Sequence, residues 1–262
     1  MIELFKRTKL LSSICFISFI ISIARVLSSD TQELFNGAEE WFAFADNLSL
    51  AYIASYFFYI VQVYLPELRA EKAALPRRCA VQREVQLFIS QYINIWERIN
   101  RAGKKGPAEK DIKVIFSSEN LLENSKKINL DEESDALNLY KNRNATWEEE
   151  ISGYVRNMNE RGLEILRYNK DFIPCNVYYA IYGMLNESLL SNISNLFKIL
   201  PISSFQTLYQ CLPKDSNGKI NGDKDIRMLE VVINWVNEEY ELLTSKMDTK
   251  DKKTIFRSTY DS

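Results

Sequence analysis

Two stretches stand apart from the mixed apolar and polar pattern of the rest of the chain. Leu10 to Leu27 reads LLSSICFISFIISIARVL with Arg25 as its one charge, and Asn47 to Pro66 reads NLSLAYIASYFFYIVQVYLP with none. As a helix, Leu48 to Leu65 would be roughly 27 Å long at about 1.5 Å per residue, close to the hydrocarbon thickness of a bilayer. The pattern predicts spans at about 10-27 and 48-65. In the second, the Leu, Ile, Val and Phe residues together favour insertion by roughly 3 to 5 kcal/mol before polar penalties. Tyr52, Ser55, Tyr56, Tyr59 and Gln62 reduce that gain, and their helical spacing gathers them into a stripe better suited to another helix than to lipid. A hairpin of two spans is therefore expected, with small residues four apart (Ser18 and Ser22, Ala51 and Ser55) as candidate points of close approach. Pro66 should end the second helix. The competing readings are a buried core helix for the second stretch and, for the first, a secretory signal peptide whose cleavage site would follow Ser22-Ile23-Ala24.

After Pro76 the apolar residues recur at steps of three and four. Val81, Val85, Phe88, Tyr92, Ile95 and Ile99 predict an amphipathic helix that ends at Gly103 to Pro107. Ile112 to Leu122 suggests another, although IKVIF alone could be a short strand. Asn124 to Asn144 is polar and reads as a loop or weak helix. Thr146 and Glu149 form a capping-box pattern ahead of Ile151, Val155, Met158, Ile165 and Leu166, while Gly153 and Gly162 argue against one continuous helix. Pro174 and Pro201 sit at helix starts, and Leu189 to Leu200 supplies a further apolar face. Asp225 is placed to open a last helix buried along Met228, Leu229, Val232, Ile233, Val236, Tyr240 and Leu243. From Met247 onward the tail is expected to be disordered. The fold class that follows is all-α: a membrane hairpin over residues 1-68, a basic linker over 69-76, a helical soluble domain over 77-246 and a tail over 247-262.

Charge adds an orientation. Ser28 to Asp46 carries Asp30, Glu33, Glu39, Glu40 and Asp46 and no Lys or Arg. Basic residues flank the hairpin on its other side: Lys6, Arg7 and Lys9 before it, then Arg69, Lys72, Arg77, Arg78 and Arg83. The positive-inside rule puts both termini in the cytoplasm and the acidic connection at 28-47 outside. Leu34, Ala38, Trp41, Phe42 and Ala45 share a helical face, so that connection could lie along the interface, or its aromatics could be belt residues. The basic clusters at Arg69 to Arg83 and Lys246 to Arg257 suit anionic headgroups, and equally suit topology and solubility. A formal net charge of -2 argues against general nucleic-acid binding.

Candidate chemistry is sparse. The chain has no histidine, which removes Ser-His-Asp and Cys-His nucleophiles and HExxH zinc sites. Walker A, GxGxxG and GxSxG patterns are missing from the sequence, so no cofactor or metal is implied. Cys15, Cys79, Cys175 and Cys211 have no metal-ligand spacing; Cys79, beside Arg77 and Arg78, could be activated or acylated, or be an inert surface thiol. Asp215 to Asp225, DSNGKINGDKD, departs from the EF-hand pattern at Lys219 and Ile220 and reads as a turn in which Asp223 or Asp225 caps the next helix. Glycosylation patterns begin at Asn47, Asn144, Asn186 and Asn192, all but the first on the side assigned to the cytoplasm.

The expected function is that of a non-enzymatic membrane protein. Its partners are the lipid bilayer and a protein recruited or sensed by the helical domain, possible homo-oligomerisation included. Tyr178, Tyr179 and Tyr182 could contribute to a binding groove, with core packing as their simpler role. Two alternatives belong to other classes: an oligomeric pore lined by the Tyr52 to Gln62 stripe, and a membrane-tethered enzyme using carboxylates.

Overall fold

The computed structural model describes residues 8-28, 38-104, 111-138, 143-199 and 205-246, and nearly all of them are helical. The described residues fall into two compact units that divide between Leu75 and Pro76. Leu34, Pro201 and the tail from Met247, to which the sequence assigns roles, lie outside the described residues.

The first unit contains α1 (Lys9–Ser28) and α2 (Ala38–Tyr59). α1, and the longer helical run that begins with α2 and continues past Tyr59, are long and apolar enough to cross a membrane. α2 begins well before the predicted start at Leu48, so Trp41, Phe42 and Ala45 belong to the same helix as the second apolar stretch and form no separate interfacial element. Pro66 does not end the helix: a π-helical turn, Ile60–Tyr64, leads into α3 (Leu65–Lys104). The Leu65 N–H bonds the Ile60 carbonyl, five residues back. Widening the turn just before a proline gives the Gln62 carbonyl room against the pyrrolidine ring, so the chain stays helical where sequence rules predict a stop.

The second unit is built around the C-terminal part of α3. Val81, Val85, Phe88, Tyr92, Ile95, Trp96 and Ile99 are all buried on its one apolar face. Each such side chain contributes about 1.5 to 3 kcal/mol on leaving water. Around this face lie α4 (Ile112–Ile115), α5 (Ser118–Lys127), α6 (Trp147–Tyr168), α7 (Cys175–Asn186), α8 (Leu189–Ile199), α9 (Leu208–Cys211) and α10 (Asp223–Lys246). The ambiguous IKVIF stretch is thus helical: Asp111 accepts the Lys113 N–H as N-cap, and Phe116 buries against Tyr92 and Trp96.

The polar stretch after α5 is neither loop nor helix throughout. Glu133–Asn138 (β1) and Arg143–Thr146 (β2) pair antiparallel with a register irregularity between Glu133 and Leu137. Such polar strands carry little β signal of their own and draw on the neighbouring helix for support. Thr146 ends β2 and caps α6 in a complete capping box with Glu149. α6 is continuous through both glycines. A Cβ on Gly162 would stand 2.7 Å from Leu185 Cδ2, so this glycine marks the close approach of α6 to α7.

Candidate functional site

The first place of interest is the face along which α1 and α2 meet. Thr8 just before α1, and Ser12, Cys15 and Ser18 at steps of three and four along it, are buried, as is Ser49 on α2. The Ser12 and Tyr56 hydroxyls are 2.7 Å apart, and Tyr52 Oη donates to the Leu11 carbonyl at 3.1 Å. Towards the other end Arg25 and Asp46 pair at 3.8 Å. The two helices therefore run antiparallel. Outward point Leu10, Phe16, Ile17, Ile20, Ile23, Val26 and Leu27 from α1 and Leu48, Leu50, Phe57 and Phe58 from α2, all exposed. Only 17% of the α1 apolar window is buried, and 11% of the second. A helix that belonged to the core of a water-soluble domain would show the reverse distribution.

Of the predicted stripe, Tyr52 and Tyr56 meet α1 through their hydroxyls, and Tyr59 is half-buried. Ser55 is exposed and donates back to the Ala51 carbonyl, while Gln62 is exposed in the π turn. Ala51 and Ser55 thus lie outside the α1–α2 contact face; Ser18 lies in it.

The predicted basic cluster divides. Arg69 and Lys72 are exposed. Arg77 donates to the Tyr168 carbonyl at the end of α6 and to Asn169 Oδ1 at 2.7 Å. Arg78 forks onto both oxygens of Glu239 on α10, each at 2.8 Å. Both arginines are thus engaged by partners within the second unit. Cys79 is buried instead of lying on the surface. Burial, and then the Glu239 charge, push its thiol above the usual range, so the neighbouring guanidinium does not activate it.

The second place was not legible in the sequence. Asp225, expected as a cap, is buried in the first turn of α10. Its Oδ1 accepts from Tyr92 Oη on α3 and from the Leu189 N–H that opens α8, the latter at 3.2 Å. Burial raises its pKa from 3.8 to about 6, against the opposing effect of those two bonds. Tyr92, wholly buried and facing this carboxylate, is pushed well above the ordinary phenol range and remains a donor. Asp225 also lines a pocket of about 380 Å³ with Lys214, Lys224, Arg227, Glu187 and Asp215. The turn before α10 forms its wall: Asp215 Oδ1 accepts the Asn217 and Lys219 N–H groups, and Gly218 takes a positive φ of 75°. Asn221, and neither aspartate, accepts the first N–H of α10.

Among the described residues no cluster of metal-ligating side chains is present. Tyr178 is partly buried against the core, whereas Tyr179 and Tyr182 are exposed. Comparison with known protein families, curated proteins and solved structures finds no match to the chain.

Proposed function

We propose that the chain is a non-enzymatic integral membrane protein in which α1 and α2 cross the bilayer side by side and a helical cytoplasmic domain recruits or senses a protein partner there. The observation that carries this reading is the inverted polarity of the helix pair, with hydroxyl groups between the helices and Leu, Ile, Val and Phe turned outward. In water such a surface would drive aggregation. In lipid it is the favourable arrangement, because Ser12, Tyr52 and Tyr56 find hydrogen-bond partners inside the pair.

α1, with its 20 residues, would span about 30 Å. The Ser12–Tyr56 and Arg25–Asp46 contacts set the register, so the part of α2 that crosses lies a few residues earlier than 48-65. Arg25 and Asp46 then meet near one membrane surface, where their charges reach the headgroups. Arg69 and Lys72 fall on the opposite side with Lys9, and by the positive-inside rule that side is the cytoplasm. The Tyr52 and Tyr56 hydroxyls are used within the pair, and this favours an anchor over a pore lined by the same stripe. The test is carbonate extraction of membranes from expressing cells, combined with protease protection. The full-length chain should stay in the pellet and its C-terminal half should resist protease added outside intact cells; release into the wash, or external digestion, overturns the reading. For recruitment, cross-linking in membranes should capture a protein that is lost when Tyr179 and Tyr182 are both changed to Ser.

A further inference from the structure

The pocket beside α10 holds three cationic and three acidic side chains, and their local partners differ. Glu187 is neutralised by Lys224. Asp215 is held by two backbone N–H groups of its own turn. Asp225 shares Oδ1 with Tyr92 and Leu189. That leaves Arg227, exposed and in no ion pair among the described residues, and Lys214, whose Nζ lies 3.8 Å over the centre of the Tyr209 ring, as cations with no carboxylate of their own. We propose that this pocket binds a small oxyanion, a phosphate, sulfate or carboxylate group, gripped by Arg227 and Lys214 above Asp225.

The geometry supports an anion over a cation. A guanidinium offers a planar fork of N–H donors that matches an oxyanion, and the Tyr209 ring holds the Lys214 ammonium by a cation–π contact. A cavity of about 380 Å³ is within the range of small-ligand pockets. The other charges that line the pocket come from α10 (Lys224, which acts on Asp225, and Arg227), from the turn (Lys214 and Asp215) and from the α7–α8 junction (Glu187); α3 contributes the neutral Tyr92. With Asp225 ionised these six charges balance. With Asp225 neutral the pocket carries one net positive charge, so anion uptake is coupled to proton uptake, and the crossover lies near about 6 where burial has placed this carboxyl.

The experiment is calorimetric titration of the detergent-solubilised full chain with sulfate, whose charge is constant between about pH 5.5 and 7.5, at fixed ionic strength. Sulfate should saturate a single site, bind several-fold tighter at the lower pH, and weaken about tenfold in Arg227→Gln. Asp225→Asn should bring the affinity at the higher pH up to that at the lower. Arg101→Gln removes the same charge from an exposed site outside the pocket and should leave binding unchanged. A parallel arm in mixed micelles containing phosphatidic acid identifies a lipid headgroup as the source if binding there depends on Arg227, is several-fold tighter than that of sulfate and is displaced by excess sulfate. Absence of Arg227-dependent binding in both arms, or equal weakening by Arg101→Gln, overturns the proposal. Neither result bears on whether α1 and α2 cross a membrane.

Discussion

Replacing Asp225 by Asn should stabilise the protein at neutral pH, although it removes a buried, hydrogen-bonded carboxylate. Folding moves this carboxyl from 3.8 to about 6, chiefly by burial. At about 1.4 kcal/mol per pKa unit, that rise corresponds to about 3 kcal/mol of preference for the neutral acid. The figure already contains the bonds from Tyr92 and Leu189, because both act on the same carboxyl and pull its pKa down. The sign follows from proton linkage. Below about 4 the acid is neutral in both folded and unfolded chains, and its stabilising contribution is fully present. Between about 4 and 6 the folded chain holds a proton that the unfolded chain has released, so stability falls as pH rises through this window and stays low above it. Asn is neutral throughout, and its Oδ1 can accept the same two bonds. Denaturant titration of the full chain in detergent, followed by tryptophan fluorescence, should give Asp225→Asn up to about 3 kcal/mol more stability than the parent near pH 7.5 and a difference that shrinks towards zero near pH 4. Other carboxylates titrate alike in both proteins and cancel in the comparison. A variant less stable than the parent at pH 7.5, or a difference that does not change with pH, would refute the reasoning.

Further outcomes follow from single contacts. Gly222→Ala should cost at least about 1 to 3 kcal/mol, since a Cβ there would meet the Phe116 carbonyl oxygen at 2.3 Å and a backbone atom cannot move aside. Gly153→Ala, with open space around its Cβ inside α6, should instead gain about 0.5 to 1 kcal/mol; thermal melts of both variants check the contrast. Arg78→Ala leaves Glu239, 7% exposed, without its bidentate partner and should lower stability by about 2 to 4 kcal/mol in denaturant titrations, more than Arg69→Ala at an exposed position. Thr146→Ala removes the α6 cap and should cost about 1 kcal/mol, measured as a shift of the denaturation midpoint.

Local rules carried much of this structure. The helical periodicity of Val81 to Ile99, the Thr146 and Glu149 capping box, and the apolar stretches at Leu10 and Asn47 depend on residues within a few positions of one another, so they can be read along the chain. Three features could not be. Pro66 is a helix stop by every local preference, yet a π turn ahead of it keeps the backbone helical. The strands at Glu133 and Arg143 have almost no β propensity of their own and exist by pairing with each other beside α6. Asp225 has the sequence context of a helix cap, but its environment comes from Tyr92, 133 residues earlier, and from the Leu189 amide, 36 residues earlier. Sequence alone gave its residue type and its place at a helix start. Its burial, its elevated pKa and its position above a pocket lined by Arg227 and Lys214 arise only when α3, the α7–α8 junction and α10 come together, because desolvation and electrostatic neighbourhood are properties of packing in three dimensions.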